Sequence, residues 1–338
     1  AVVPTGGNED VFDGDSNFSV SMWIKGWPKA GNSLLNKNKF DPTKYGDLKA
    51  WFDATQPSSF STTFDVGGPV PSSGDAIKVW HDLSGNGHHA VSGGGTATYS
   101  NTALKGDTVG IDSSGMTLNL SDSASSFDGW DKMTVFMLYE WNGAAGTTWH
   151  VAMDKGGSSW STTSWVLQTM NNNSPNTQGT GFVLGNTAGN GNYRLDGQSK
   201  TYASTGNPKI IVARYNGSSG EMRWWANGDT ATNMTASGHT SLRANSGRPV
   251  VIGRGSSHDY GDIMIFRDAL SDSNIRTIEG YIAHKYGIES LLVSGHAHAS
   301  SDPGNAGWAI KRSTSGSDDL ALDLVGAGGE FSSSVPVN

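Results

Sequence analysis

Nine consecutive residues, Met133 to Trp141 (Met-Thr-Val-Phe-Met-Leu-Tyr-Glu-Trp), carry apolar side chains at odd and even positions alike. A strand puts alternate residues on opposite faces, so this segment must be covered on both sides and belongs in the middle of a sheet. Lys209 to Tyr215 reads the same way. Glu221 to Ala226 is a strand running into Asn227-Gly228, the pair that a type I′ turn requires. Val250 to Gly253 and Asp262 to Phe266 are further short apolar runs, and long Gly/Ser/Asn loops such as Asn171 to Gly181 and Gly185 to Asn192 separate the runs. With 46 Gly among 338 residues, the chain has the turn density of an all-β protein.

One helix interrupts this pattern, near 272–286. Ser271 is a good N-cap, Asp272 favours the positive end of the helix, and Gly287 suits the stop. Ile275, Ile278 and Ile282 make one apolar stripe, so the helix covers part of a sheet.

Composition excludes several classes. There is no Cys, so neither disulfides nor thiolate metal sites form. The net charge is −8 and no basic cluster exceeds two adjacent residues, which argues against a nucleic-acid partner. No stretch is apolar enough for membrane insertion, and Ala1 to Gly7 lacks the basic region and apolar core of a signal peptide.

Two stretches carry a family resemblance. Leu48 to Asp53 (Leu-Lys-Ala-Trp-Phe-Asp) and Val79 to Ala90 (Val-Trp-His-Asp-Leu-Ser-Gly-Asn-Gly-His-His-Ala) open the pattern; Gly261 to Phe266, Ala269 to Asp272 and Ile278 to Gly287 close it. In this order and spacing they resemble a laminin-G-like domain of the concanavalin A-like lectin/glucanase superfamily, as found in bacterial and phage surface proteins. The resemblance implies an all-β, two-sheet antiparallel jelly-roll sandwich with one short capping helix, over residues 45–292. Phe12 to Gly14, Phe18 to Gly26 and Ser33 to Lys37, with Gly307 to Arg312 and Leu320 to Val325, resemble strands of a second such sandwich. Residues 1–44 and 293–338 are therefore expected to be the halves of a partial outer domain into which the first is inserted.

The superfamily includes glycan hydrolases, which on the glucanase branch take their carboxylates from a Glu-x-Asp-x-x-Glu strand. The chain has six Glu (9, 140, 221, 279, 289, 330), and none opens such a run. Glu140 lies on the central strand with no carboxylate near it in sequence. The expectation is therefore a non-catalytic module that binds a polysaccharide or cell-surface glycan, in an extracellular, cell-surface or virion setting. The alternatives are a structural subunit, such as a capsid decoration or fibre, that shares strands with neighbours or a second copy, and a divergent glycan hydrolase or lyase.

Sugar sites combine an exposed aromatic ring with amide and charged partners. Alternation sets Trp224 and Ala226 on one face and Arg223 and Trp225 on the other; the resemblance implies that Trp224 is the core residue, which leaves Trp225 on the outer face. Trp225, Trp149 and Trp160 are the candidate platforms, with Arg223, Asn171 and Asn172 as polar partners. For calcium the hard oxygens of Asp82 and Asn86, and of Asp259 and Asp262, are the candidates. The plainer reading of Asp82 to Gly87 is an Asx-type turn, and His88-His89 and His296-x-His298 read as surface residues.

Overall fold

The structure, a computed structural model, describes residues 33–36, 40–104, 108–121, 123–141, 149–156, 162–170, 179–185, 193–196, 207–229, 232–236, 238–244, 247–254, 258–303, 309–312 and 322–325. The chain divides into two compact units, residues 40–304 and residues 1–39 with 305–338. In the smaller unit, β1 (Ser33–Asn36) pairs antiparallel with a strand at Ala309–Arg312, which pairs in turn with one at Leu322–Val325.

The larger unit is antiparallel throughout. Its first strands are β2 (Leu48–Phe52), β3 (Phe60–Ser61), β4 (Val79–Trp80), β5 (Ala90–Leu104) and β6 (Thr108–Leu120). After a single helical turn at Ser123–Ser126 come β7 (Lys132–Trp141), β8 (Trp149–Lys155), β9 (Trp165–Met170), β10 (Gly179–Leu184) and β11 (Tyr193–Asp196). Then follow β12 (Lys209–Asn216), β13 (Glu221–Ala226), β14 (Thr232–Thr235), β15 (Val250–Ile252) and β16 (His258–Phe266). The long helix, here α1, spans Asp272–Lys285.

Among the described residues the strands join into one continuous, barrel-like antiparallel sheet of fifteen. The cause is β6. Its last residues pair with β15 through Leu118 and Asn119, while Ile111, earlier on the strand, pairs with Tyr260 of β16. At thirteen residues it is long enough to serve both neighbours.

The two apolar faces of Met133 to Trp141 now have separate destinations. Met133, Val135, Met137, Tyr139 and Trp141 enter the main core together with Trp80, Trp165, Trp224 and Tyr260. Phe136 and Leu138 face the other way, into a second core closed by Ile275, Ile278 and Ile282 of α1. One row of that second core crosses five strands, as Trp51, Met264, Phe136, Val212 and Trp225 sit opposite one another in register.

Local chemistry sets the ends of α1. The Ser271 hydroxyl accepts from Asn274 N, and Gly287 takes φ +64°, where a Cβ is disfavoured. Asn227 (φ +50°) and Gly228 (φ +74°) form the tight turn after β13. No helix among the described residues is long and apolar enough to cross a membrane.

Candidate functional site

Three of the segments singled out in the sequence, Leu48 to Asp53, Gly261 to Phe266 and Ile278 to Gly287, meet at one buried ion cluster. Asp53 ends the first segment, Asp262 lies on β16, and Lys285 and Tyr286 close α1. Lys285 Nζ lies 2.6 Å from Asp53 Oδ1 and 2.7 Å from Asp262 Oδ2, and Tyr286 donates its hydroxyl to Asp262 Oδ1 at 2.7 Å. Burial pushes the Asp262 carboxyl up to about 6, against the pull of the Lys285 ammonium and with the added repulsion of Asp53. Burial also works against the Asp53 carboxylate. There Lys285, with hydrogen bonds from Thr55 and Gln56, outweighs it and holds the group below its usual range. Asp262 was a calcium candidate. The Lys285 ammonium stands where a cation would have to sit, so its role is to pin helix to sheet.

Asp82 and Asn86 also differ from the calcium expectation. Asp82 Oδ1 accepts from the backbone N–H of Trp51 and Ser84, and Oδ2 accepts from Ser84 Oγ and the N–H of His88. Asn86 turns its amide nitrogen to the carbonyls of Leu48 and Lys49. The run is a turn that staples β2 to the β4–β5 connection, and its Asp oxygens are spent on N–H and O–H donors. Among the described residues, no group of three or more His, Asp or Glu is arranged to hold a metal ion.

Trp225 was expected as an exposed platform on the face opposite Trp224, and it lies on that face. That face is covered: Trp225 is 3 % exposed and packs in the second core. Its Nε1 donates to Glu279 Oε1 at 2.9 Å, an oxygen that also accepts from Gly228 N at 2.9 Å. Glu279 Oε2 takes Arg276 Nη1 at 3.0 Å and faces His296 Nε2 at 3.4 Å. His296, read from sequence as a surface residue, is thus buried against α1. Arg223 bonds Asp272 at 2.9 Å and lies 5.5 Å from the Trp225 ring, so it serves the helix N-terminus. Trp149 begins β8; its side chain, Trp160, Asn171 and Asn172 lie outside the described residues.

Two features were invisible in sequence. The first is a carboxylate opposite Glu140, because the β7–β16 ladder sets Asp259 across from it. Both are nearly buried, and both make further contacts within the protein. The second is Arg254, just past β15. It clasps Asp154 from Nε and Nη2, at 2.9 Å from Nη2 to Oδ1 and 3.0 Å to Oδ2. Asp154 pairs with Val251 and Val166, on the face turned away from the main core. Burial raises the Asp154 carboxyl, and Arg254 opposes it. The Arg254 side chain is 33 % exposed, with Nη1 on the far side of the guanidinium from the carboxylate. Next along β8, Lys155 is wholly buried on Asp128 and the Arg248 carbonyl, and burial lowers its pKa.

No protein family matches the chain, and no curated protein does. Among solved structures it is similar to the CBM40 of the Ruminococcus gnavus IT-sialidase bound to α2,3 sialyllactose, with a TM-score of 0.39 and 17 % identity over 48 % of this chain and 92 % of that one. It is also similar to the receptor binding domain of botulinum neurotoxin mosaic serotype C/D, with a TM-score of 0.45 and 13 % identity over 69 % of this chain and 50 % of that one. A third is the binding domain of botulinum neurotoxin DC in complex with rat synaptotagmin II, with a TM-score of 0.46 and 11 % identity over 73 % and 52 %. A likeness of this size carries no conclusion about function.

Proposed function

We propose that the chain is a non-catalytic carbohydrate-binding module with a laminin-G-like, jelly-roll core at residues 45–292, working at a cell or virion surface. Residues 1–39 and 305–338, rather than 1–44 and 293–338, form the halves of an outer, related domain in this reading, because His296 packs against α1 of the larger unit. The pairing of β1 with the strand at Ala309–Arg312 supports it.

The observation that carries the binding reading is the Arg254–Asp154 pair. A buried carboxylate grips the Nε–Nη2 edge of the guanidinium and fixes its plane, and the side chain, 33 % exposed, keeps its Nη1 donors for a ligand in this reading. A donor held this way loses little freedom on binding, which suits a hydroxyl-rich or carboxylated sugar. The clusters best supplied with ionisable groups, at Lys285 and Glu279, are sealed by α1 and are structural.

The test is native affinity electrophoresis against β-glucan, xylan, mannan, alginate and sialylated mucin. Wild type is retarded by at least one. Arg254→Lys keeps the charge and loses the planar fork, so it weakens that retardation. Passage of wild type through every gel without retardation overturns the reading.

A hydrolase reading has one point in its favour, the placing of Asp259 opposite Glu140. Two carboxyls on one face are what glycoside hydrolysis needs, but exposures of 4 % and 3 % leave little room for a sugar. Release of reducing ends that disappears in Glu140→Gln would favour it over the binding reading.

A further inference from the structure

Three large apolar side chains are exposed among the described residues, and all stand on one loop: Phe64 at 63 %, Val66 at 62 % and Val70 at 54 %. Single exposed apolar residues are ordinary; three within seven residues mark a contact surface. The loop is also preformed. Thr62 N donates to the Pro69 carbonyl at 3.0 Å and closes its base. Gly68 N donates to the Asp65 carbonyl at 3.1 Å, with Gly67 at φ +83°, so Val66 rides the tip of a type II turn. Ser61 Oγ donates to the Thr63 carbonyl and accepts from Thr63 N, bracing the stem. Nothing in the core requires these side chains to point outward.

Charge and size select the occupant. Lys78 Nζ stands 5.8 Å from the Phe64 ring centroid, and Asp65 follows Phe64 in the loop. The Lys78 ammonium lies over one face of the Phe64 ring, and a side chain 63 % exposed leaves the other face for a sugar, whose C–H face stacks while its hydroxyls bond polar neighbours. Three side chains fall well short of the roughly 800 Å² per partner of a stable protein interface, which disfavours a second copy. Asp65 and the nearby Asp75, on a chain of net charge −8, would be repelled by an anionic lipid surface.

We propose that the loop at residues 62–70 is a stacking subsite for a sugar ring, with Phe64 as the platform and Asp65 and Lys78 as its polar partners. The proposal rests on the carbohydrate-binding reading and adds to it a second point of contact apart from Arg254. Phe64 is exposed, so its variants fold.

The experiment compares wild type, Phe64→Ala, Phe64→Trp and Arg254→Lys by affinity electrophoresis on the same five polysaccharides, and by flotation with phosphatidylcholine vesicles. The expected result is a dissociation constant about tenfold weaker for Phe64→Ala, retention in Phe64→Trp, and no vesicle binding by any protein. If wild type is retarded by a polysaccharide and Phe64→Ala is retarded equally, the subsite is overturned while the module stands. Flotation of wild type that Phe64→Ala abolishes also overturns it, making the loop a lipid contact. If wild type is retarded by none of the five, the module and the subsite fall together.

Discussion

Lys285 Nζ lies 2.7 Å from Asp262 Oδ2, tying the last turn of α1 to strand β16 at a point where the carboxylate has no exposed surface. The same ammonium holds Asp53, so three distant segments depend on one charge. Replacing Lys285 with Met leaves two buried carboxylates facing each other. That loss is expected to cost about 3–5 kcal/mol, the usual effect of breaking a buried ion pair on one side. Urea denaturation at pH 7 measures it, and an unchanged midpoint would place the cluster outside the stabilising core.

Asp262 makes a specific pH signature. Its folded pKa, about 6, lies above the ordinary carboxylate value of 3.8, so between those values the native state holds a proton that the unfolded chain releases. Its contribution to stability therefore rises as pH falls from 7 toward 4 and is lost as pH climbs through 6. Asp262→Asn removes this. The stability difference between variant and wild type should change by on the order of 2 kcal/mol between pH 7 and pH 4.5. Paired urea titrations at the two pH values read it directly.

His258 works in the opposite direction. It is fully buried, and burial, with repulsion from His150, pushes its pKa down to about 3. Below pH 6.5 the unfolded chain takes a proton that the folded one refuses, so stability drains away as pH falls toward 3. His258→Asn should flatten this acid limb at some cost in packing at pH 7. Thermal midpoints at pH 7, 6, 5 and 4 test it; an acid limb as steep as in wild type counts against His258 as its source.

Trp225 separates core from platform. Trp225→Phe keeps most of the ring and removes the Nε1 bond to the buried Glu279 carboxylate. Loss of a hydrogen bond to a charged group should cost about 1.5–3 kcal/mol. Polysaccharide retardation should be unaffected. A variant that stays fully stable yet loses retardation would return Trp225 to the binding surface.

Much of the fold was legible because its causes are local. Ser271 caps α1, Gly287 ends it, and Asn227-Gly228 turns the chain, each through its own backbone preference. Met133 to Trp141 was readable as a strand covered on both faces, since alternation needs no partner. The site was harder to read. Trp225 was assigned to the correct face, but its burial depended on where the Ile275–Ile278–Ile282 stripe would land. Phe64 has no sequence signal that sets it apart, because a Phe in an all-β chain is ordinarily core. Arg254 and Asp154 are adjacent only through the β8–β15 pairing.

The sequence by itself determined the elements: strands by alternation and apolar runs, turns by Gly and Asn, and the helix by its cap and stripe. It also determined, by order and spacing, which segments resemble one family. Tertiary structure decided which charges meet and which rings are covered. Asp53, Asp262 and Lys285 neutralise one another only when two strands and a helix come together. The physical reason is range: backbone preference and side-chain alternation act within a few residues, whereas burial and ion pairing depend on neighbours supplied from elsewhere in the chain.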